Sequence, residues 1–226
     1  MSVIRDRRIG RSRREASVRS AESAVMANIA SQRLQREFKE VITSSEMAST
    51  GISLQAEAEQ NLFNLRGEIT GPPDTPYEKG TFVLSISIPE SYPFHPPVVR
   101  FLTRIWHPNV SSQTGTICLD ILKDQWAASM TLRTVLLSIQ ALLCSPEPND
   151  PQDAVVARQQ LSNPTLFKDT ARFWSQTFAS APGQRNADFE TRLRQIRDLG
   201  VSMEKALSAL SCHGWETAKA TEDLFS

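Results

Sequence analysis

One cysteine, Cys118, stands in a polar segment that also holds a histidine and an asparagine. The segment runs from Ile105 to Asp120 and ends in Gly-Thr-Ile-Cys-Leu-Asp. A thiol in such a loop is able to carry an acyl group as a thioester. Asn109, upstream in the same segment, has a neutral amide that is able to donate hydrogen bonds to an oxyanion. The segment therefore predicts acyl transfer through a cysteine.

The residues around Cys118 also limit the kind of site. The segment has no second cysteine, no glycine-rich helix start and no pair of histidines one helical turn apart. We therefore predict no metal site, no phosphate-binding loop and no cofactor. A protease-like Cys–His pair is the competing enzyme hypothesis, and it requires His95, His107 or His213 to fold against the thiol. We expect no histidine or lysine close enough along the chain to form an ion pair with the cysteine.

Residues on both sides of the cysteine resemble the active site of ubiquitin-conjugating enzymes. The tripeptide His107-Pro108-Asn109 precedes Cys118, as His-Pro-Asn precedes the catalytic cysteine of that family. The run Tyr92–Pro97 upstream and Trp126 downstream match the family in order and spacing. The resemblance covers about residues 26–178.

The C-terminal part resembles a ubiquitin-associated (UBA) domain, so the whole sequence is similar to the UBA-tailed subclass. This resemblance implies an α/β (α+β) architecture, the UBC fold, followed by a three-helix UBA bundle. The UBC fold has an N-terminal helix, a four-stranded antiparallel meander sheet and C-terminal helices. The expected divisions are a disordered basic extension at 1–25, the UBC domain at 26–179, a linker at 180–187 and the UBA-like domain at 188–226.

The spacing of apolar residues predicts the elements that position the segment. A helix is expected over Asn28–Ser44, with one apolar stripe formed by Leu34, Phe38, Val41 and Ile42. Strands are expected within Ile52–Thr70, which holds two strands and a turn at 59–61, and at Thr81–Ile88 and Val98–Phe101. Consecutive strands without intervening helices indicate an antiparallel meander.

After the segment, the sequence predicts helices. They are expected at Thr131–Cys144, Asp153–Gln160, Asn163–Phe178, Asp188–Leu199, Ser202–Leu210 and Trp215–Phe225. Thr131 is a suitable N-cap, and Asn163 followed by Pro164 has the pattern of another helix start. Cys144 is expected in the core, because free cysteine behaves as a small buried apolar residue.

The resemblance assigns roles to the residues near the cysteine. It implies that Asn109 stabilises the oxyanion directly or holds the active-site loop, and from the residues alone an Asx-turn is also open. His107, beside Pro108, is expected to hold the loop through hydrogen bonds and not to act as a base. Asp150 matches the gate position that orients or deprotonates the incoming lysine. Asp120 is a second candidate for that role.

Three groups of residues match interaction surfaces of the family. Arg33 and Arg36 on the first helix match positions that dock the activating enzyme and contribute to the ligase surface. Phe94 and Trp126 match positions that dock ligases of the RING and HECT types. In the UBA-like part, the ubiquitin-contacting positions are Leu199, Gly200, Val201, Leu224 and Phe225. That loop lacks the family's aromatic residue, so a structural role, or docking onto the preceding domain, is the alternative.

The composition argues against two classes of protein, those that bind nucleic acids and those that act at membranes. The formal net charge is zero, which argues against a nucleic-acid partner, and no apolar run is long enough to predict a membrane partner. Residues 1–25 carry seven arginines and three acids, so that segment is at +4 and the remainder at −4. We expect this basic tail to be solvated, with nuclear localisation or an acidic partner as alternatives. Three cysteines, an odd and sparse set, indicate reduced thiols in the cytoplasm or the nucleus.

Together these patterns predict an enzyme that accepts ubiquitin as a thioester on Cys118 from an activating enzyme. The ubiquitin then passes to lysine amines of protein substrates, with or without a ligase. UBA-tailed relatives imply lysine-48-linked chains. Two alternatives stay open at this point, namely a conjugating enzyme for another ubiquitin-like modifier and a non-catalytic ubiquitin-binding adaptor.

Overall fold

Four consecutive strands form an antiparallel sheet, and the segment that holds Cys118 follows the last of them. The computed structural model describes residues 25–58 and 61–226. The strands are β1 (Ile52–Ala58), β2 (Asn61–Thr70), β3 (Thr81–Ser87) and β4 (Val98–Phe101). Each strand pairs with the next one in sequence, so the predicted meander is confirmed. The predicted turn lies largely outside the described residues, and Asn61 already belongs to β2.

The core forms between one face of this sheet and helix α3 (Leu132–Cys144). Phe82, Leu84 and Ile86 alternate along β3 and are fully buried, as the period of two predicts. The apolar residues of α3 form one buried face, made of Leu132, Val135, Leu136, Ile139, Leu142 and Leu143. The expectation for Cys144 is wrong. It is exposed, because it is the last residue of the helix and lies off that apolar stripe.

The N-terminal helix α1 is described over residues 25–43, so it includes the three residues that precede its expected start at Asn28. Its buried face is formed by Ala30, Leu34, Glu37 and Val41, which recur at helical spacing. Ile42 lies off this face and is 52% exposed, so its assignment to the stripe is wrong. The chain then turns at Ser44, whose hydroxyl accepts a hydrogen bond from the Met47 N–H and caps α2 (Ser45–Ser49). This short helix was not predicted. Residues 1–24 of the predicted basic tail lie outside the described residues.

Helices α4 (Ala154–Ser162) and α5 (Pro164–Phe178) follow α3 and begin at side-chain caps. The Asp153 carboxylate accepts hydrogen bonds from two backbone N–H groups of α4. The Asn163 side chain accepts one from the Leu166 N–H, with Pro164 as the first helical residue, which confirms the predicted start. Among the described residues, no helix is both long and apolar enough to cross a membrane.

The C-terminal residues form the predicted three-helix bundle of α6 (Ala187–Arg197), α7 (Met203–Cys212) and α8 (Thr217–Phe225). Trp215 was expected to begin the last helix but lies in the turn before it, with a φ of 65°. Its ring is buried and stacks on Phe189 at a centroid distance of 3.6 Å. Its indole N–H donates a hydrogen bond to the Thr170 hydroxyl of α5 at 2.9 Å. Trp215 therefore packs the bundle against the preceding domain.

Several buried hydrogen bonds join the bundle to α4 and α5. The Trp174 indole N–H donates to the Ser211 hydroxyl at 2.8 Å, and the Gln159 amide donates to the Ser211 carbonyl at 3.2 Å. The segment expected to be a linker also makes contacts, since the Arg185 guanidinium lies 4.6 Å from the centroid of the Phe173 ring. The bundle is therefore docked on the preceding domain in this structure.

Candidate active site

The segment that holds the cysteine folds back on itself after β4. Isolated bridges pair His107 with Val110 and Val110 with Ile117. The Cys118 N–H donates to the Asn109 carbonyl at 2.8 Å, which brings the two predicted functional residues together. The turn requires glycine at Gly115, because its φ is +71° and a Cβ there would lie 1.9 Å from the Phe101 carbonyl oxygen. Cys118 is thereby held half-buried at the edge of an open groove.

The Asn109 side chain is buried and uses all of its amide hydrogens within the protein. Its NH₂ group donates to the carbonyls of Glu147 and Asp150, both at 2.9 Å. Its side-chain oxygen accepts from the Glu147 N–H at 2.8 Å. An Asx-turn is therefore not what this side chain forms. Because both amide hydrogens are already engaged, the arrangement supports holding the 147–150 loop over direct donation to an oxyanion.

Asp150 lies across the groove from the thiol. One of its carboxylate oxygens is 3.9 Å from the Cys118 Sγ, and the residue is exposed. The loop that carries Asp150 is anchored again just beyond it, since the backbone N–H groups of Gln152 and Asp153 both donate to the Pro108 carbonyl. Asp120 lines the same groove but is exposed, and its carboxylate accepts a hydrogen bond from the neighbouring Ile121 N–H. Asp120 begins a short 3₁₀ helix that was not predicted.

His107 is fully buried, and both of its ring nitrogens are occupied. Nδ1 accepts a hydrogen bond from the Asn109 N–H at 3.0 Å, so the proton resides on Nε2, which is 3.0 Å from the Leu142 carbonyl. Burial lowers the pKa of His107 to about 4, so the ring is neutral at physiological pH. The neutral ring has no free lone pair for a substrate proton. The polar neighbours that the described residues provide for the Cys118 sulfur are Asp150 and Lys123, and neither is a histidine.

Lys123 overturns the expectation that no lysine lies near the thiol. Its Nζ is 3.3 Å from the Cys118 Sγ, although it is five residues further along the chain. The short 3₁₀ helix at Asp120–Leu122 turns the chain back and creates this proximity. A single 3₁₀ turn has no periodic sequence signal, so the proximity of Lys123 to the sulfur does not follow from the local sequence.

The predicted partner-docking residues differ in accessibility. Phe94 is 55% exposed, and the Trp126 indole N–H is fixed by a 2.7 Å hydrogen bond to the Pro93 carbonyl. Arg36 is exposed, as expected for a docking residue. Arg33 instead points inward, where it pairs with Glu37 and its side chain is only 19% exposed. Arg33 is therefore less accessible to a docking partner than Arg36.

On the C-terminal bundle, the predicted ubiquitin-contacting residues stay accessible after docking. Leu199 is 53% exposed and Phe225 is 61% exposed. Gly200 is also exposed, whereas Val201 and Leu224 are half-buried. The docked face is a different one, formed by Trp215, Ser211 and their neighbours.

The site as a whole is an open groove in which a thiol, a carboxylate and an ammonium group lie close together. The part of the chain that the structure describes places no histidine beside this thiol. A cysteine in such a groove, in an α/β domain with a meander sheet, is that of a transferase that carries an acyl group as a thioester.

The family model described as "Ubiquitin-conjugating enzyme" matches residues 33–175, and the chain belongs to this family. It is 55% identical over 201 residues to "Ubiquitin-conjugating enzyme E2 K" of Homo sapiens, which covers 89% of this chain and 100% of that relative. "Ubiquitin-conjugating enzyme E2-22 kDa" of Drosophila melanogaster is similar to the same extent, at 55% identity over 201 residues, 89% of this chain and 100% of the relative.

Among solved structures, the fold is similar to the E2 domain of a Toxoplasma gondii ubiquitin conjugating enzyme. The TM-score is 0.60 at 49% identity, and the match covers 66% of this chain and 97% of that chain. Family membership implies ubiquitin, an activating enzyme and ligases in general as partners.

The buried neutral His107 makes stability depend on pH. The unfolded chain binds a proton at this histidine below about pH 6.5, whereas the folded protein binds it only near pH 4. The free energy of unfolding is therefore expected to fall as pH is lowered through this window, by about 2 kcal/mol between pH 7 and pH 5. Urea unfolding of the natural protein and of His107→Asn at both pH values measures the difference. An equal pH dependence in the two proteins would contradict this assignment.

Proposed function

We propose that Cys118 accepts ubiquitin from an activating enzyme and delivers it to lysine amines. In the first step, the Cys118 thiolate attacks the thioester carbonyl at the C-terminus of ubiquitin. A new carbon–sulfur bond forms, and the activating enzyme's thiolate leaves. The observation that carries this proposal is a half-exposed thiol in an open groove, with a carboxylate held 3.9 Å away by a buried asparagine. An open groove admits both the ubiquitin tail and an acceptor lysine.

In the second step, the amine of an acceptor lysine attacks the Cys118 thioester. The carbon–nitrogen bond forms, the carbon–sulfur bond breaks, and the cysteine leaves as a thiolate. The attacking amine must be neutral, although the ordinary pKa of lysine is about 10.4. The Asp150 carboxylate orients the amine and receives its proton. The Lys123 ammonium, 3.3 Å from the sulfur, stabilises the negative charge that develops on the leaving thiolate.

Asn109 acts in this proposal mainly by holding the loop that carries Asp150. The supporting observation is that its three side-chain hydrogen bonds all go to backbone groups of Glu147 and Asp150. Asp120 is exposed, lines the same groove and has a secondary role in orienting the acceptor.

Partner recognition is proposed to use three surfaces. Arg36 on α1 docks the activating enzyme. Phe94 and Trp126 form the docking surface for ligases of the RING or HECT type, supported by the exposure of the phenylalanine. On the C-terminal bundle, the exposed Leu199 and Phe225 present an apolar patch to ubiquitin. We place the protein in the cytoplasm, with the nucleus as the alternative, on the basis of its free thiols.

A charging reaction tests the acyl carrier. Mixed with an activating enzyme, ubiquitin and ATP, the protein is expected to form an adduct of one ubiquitin mass on a non-reducing gel. Thiol treatment should remove it, and Cys118→Ala should abolish it. Cys144→Ala is the matched control, because this exposed cysteine lies outside the groove, and it should charge normally. Charging with a different modifier alone would contradict the choice of ubiquitin, and no charging at all would favour the adaptor.

A double-mutant cycle tests the role of Asn109. The rate of ubiquitin transfer from Cys118 to free lysine is expected to fall by about 10²-fold in Asn109→Ala and in Asp150→Ala. If Asn109 acts by placing Asp150, the double variant should be no slower than the slower single variant. Multiplication of the two losses would instead indicate an independent oxyanion donor. Gln152→Ala, an exposed amide just beyond the same loop and outside the groove lining, is the control and should transfer at the normal rate.

Chain building tests the expected linkage. The charged protein, given free ubiquitin as acceptor, is expected to build chains linked mainly through lysine 48. Replacing lysine 48 of the acceptor ubiquitin by arginine should stop chain growth but not transfer to free lysine. Mass spectrometry of the chains identifies the linkage directly. A mixture in which other linkages dominate would contradict this expectation and leave the thioester chemistry intact.

A further inference from the structure

A buried carboxylate far along the chain from the cysteine is not used by the proposed chemistry. Glu37 of α1 is 2% exposed and accepts hydrogen bonds from three donors. The Tyr92 hydroxyl donates to Oε2 at 2.7 Å, and the Leu132 backbone N–H donates to the same oxygen at 2.8 Å. The Arg33 guanidinium donates to Oε1. Because every facing group is a donor, Glu37 is held as an ionised acceptor whose burial depends on all three partners.

Each donor belongs to a different part of the face that carries Phe94 and Trp126. Tyr92 begins the loop that carries Phe94, and Leu132 is the first residue of α3, just after the 126–131 loop. Arg33 also reaches that loop, since it donates to the Met130 carbonyl at 2.8 Å. One carboxylate thus ties α1 to two loops.

The two loops are also tied to each other. The Trp126 indole donates to the Pro93 carbonyl at 2.7 Å, and the Trp126 and Tyr92 ring centroids are 5.9 Å apart. Burial, followed by the hydrogen bond to Glu37, raises the pKa of Tyr92, so its hydroxyl keeps the proton that it donates. The exposed surface around Phe94 therefore rests on a fully hydrogen-bonded interior cluster.

We propose that Glu37 is a positioning residue that holds the Tyr92–Phe94 loop and the 126–131 loop in the arrangement that ligases bind. This inference rests on the proposed ligase surface at Phe94 and Trp126. A preassembled surface does not have to be ordered when the ligase binds, so less of the interaction energy is lost. Disturbing the cluster should weaken ligase binding and leave the Cys118–Asp150 pair in place, because the 147–150 loop is held by Asn109, which takes no part in the cluster around Glu37.

The experiment measures three steps in the full chain. These are charging by the activating enzyme, transfer to free lysine without a ligase, and transfer with increasing amounts of a RING domain that stimulates the natural protein. Tyr92→Phe removes one hydrogen bond and keeps the carboxylate. Glu37→Gln removes the charge. Glu40→Gln is the matched control, because Glu40 lies on the same helix, is 45% exposed and pairs with Arg133 at 3.5 Å.

For Tyr92→Phe and Glu37→Gln, the RING concentration that gives half-maximal stimulation is expected to rise between about twofold and about thirtyfold. Charging and unstimulated transfer should stay at the natural rates, as should every step in Glu40→Gln. If Glu37→Gln fails to fold, Tyr92→Phe alone decides. An unchanged RING dependence, or an equal loss in all three steps, would overturn the proposal.

Phe94→Ala distinguishes a failure of this proposal from a failure of the proposed ligase surface. If Phe94→Ala abolishes stimulation while the Tyr92 and Glu37 variants behave normally, the ligase surface stands and the positioning role is wrong. If Phe94→Ala leaves stimulation intact, the ligase surface itself is wrong, and the role of Glu37 is overturned with it.

Discussion

The geometry of the groove depends on the buried amide of Asn109. This one side chain bonds the backbone of a loop that begins 38 residues further along the chain. Both amide hydrogens and the side-chain oxygen bond backbone groups of Glu147 and Asp150. Displacing the 147–150 loop would leave these buried polar atoms without partners, at a cost of about 1–3 kcal/mol each. The distance between the Cys118 sulfur and the Asp150 carboxylate is therefore set by a buried amide, although both groups are accessible to solvent.

Asn109 is in turn held by its neighbours, and the support reaches the C-terminal bundle. His107 accepts the Asn109 N–H and is itself fixed by the Leu142 carbonyl of α3. Trp106, one residue earlier, donates its indole N–H to Gln159 at 2.7 Å. The same Gln159 side chain donates to the Ser211 carbonyl of the bundle. A continuous set of satisfied buried hydrogen bonds thus runs from the docked bundle to the residue next to the His-Pro-Asn tripeptide.

The sequence predicted those features of the fold that depend on local periodicity or on a helix cap. The alternation along β3, the stripe on α3, the Thr131 and Asn163 caps and the three C-terminal helices all follow from local periodicity and turn chemistry. The features that were missed depend on tertiary contacts. Cys144 and Ile42 have apolar side chains but lie off the buried faces of their helices. Arg33 pairs with the buried Glu37. Lys123 reaches the Cys118 sulfur only because of a 3₁₀ turn that was not predicted.

The buried, neutral His107 provides no charge-relay pair, and thioester chemistry requires none. A protease must generate a strong nucleophile against an unactivated amide, so its histidine has to be accessible and basic. A thioester already carries an activated acyl group, and its exchange requires only a thiolate and a well-placed acceptor. His107 therefore has a structural role, in which its hydrogen bonds link Asn109 to α3. In the proposed function, the specificity of the reaction rests with the surfaces around Phe94 and on the C-terminal bundle.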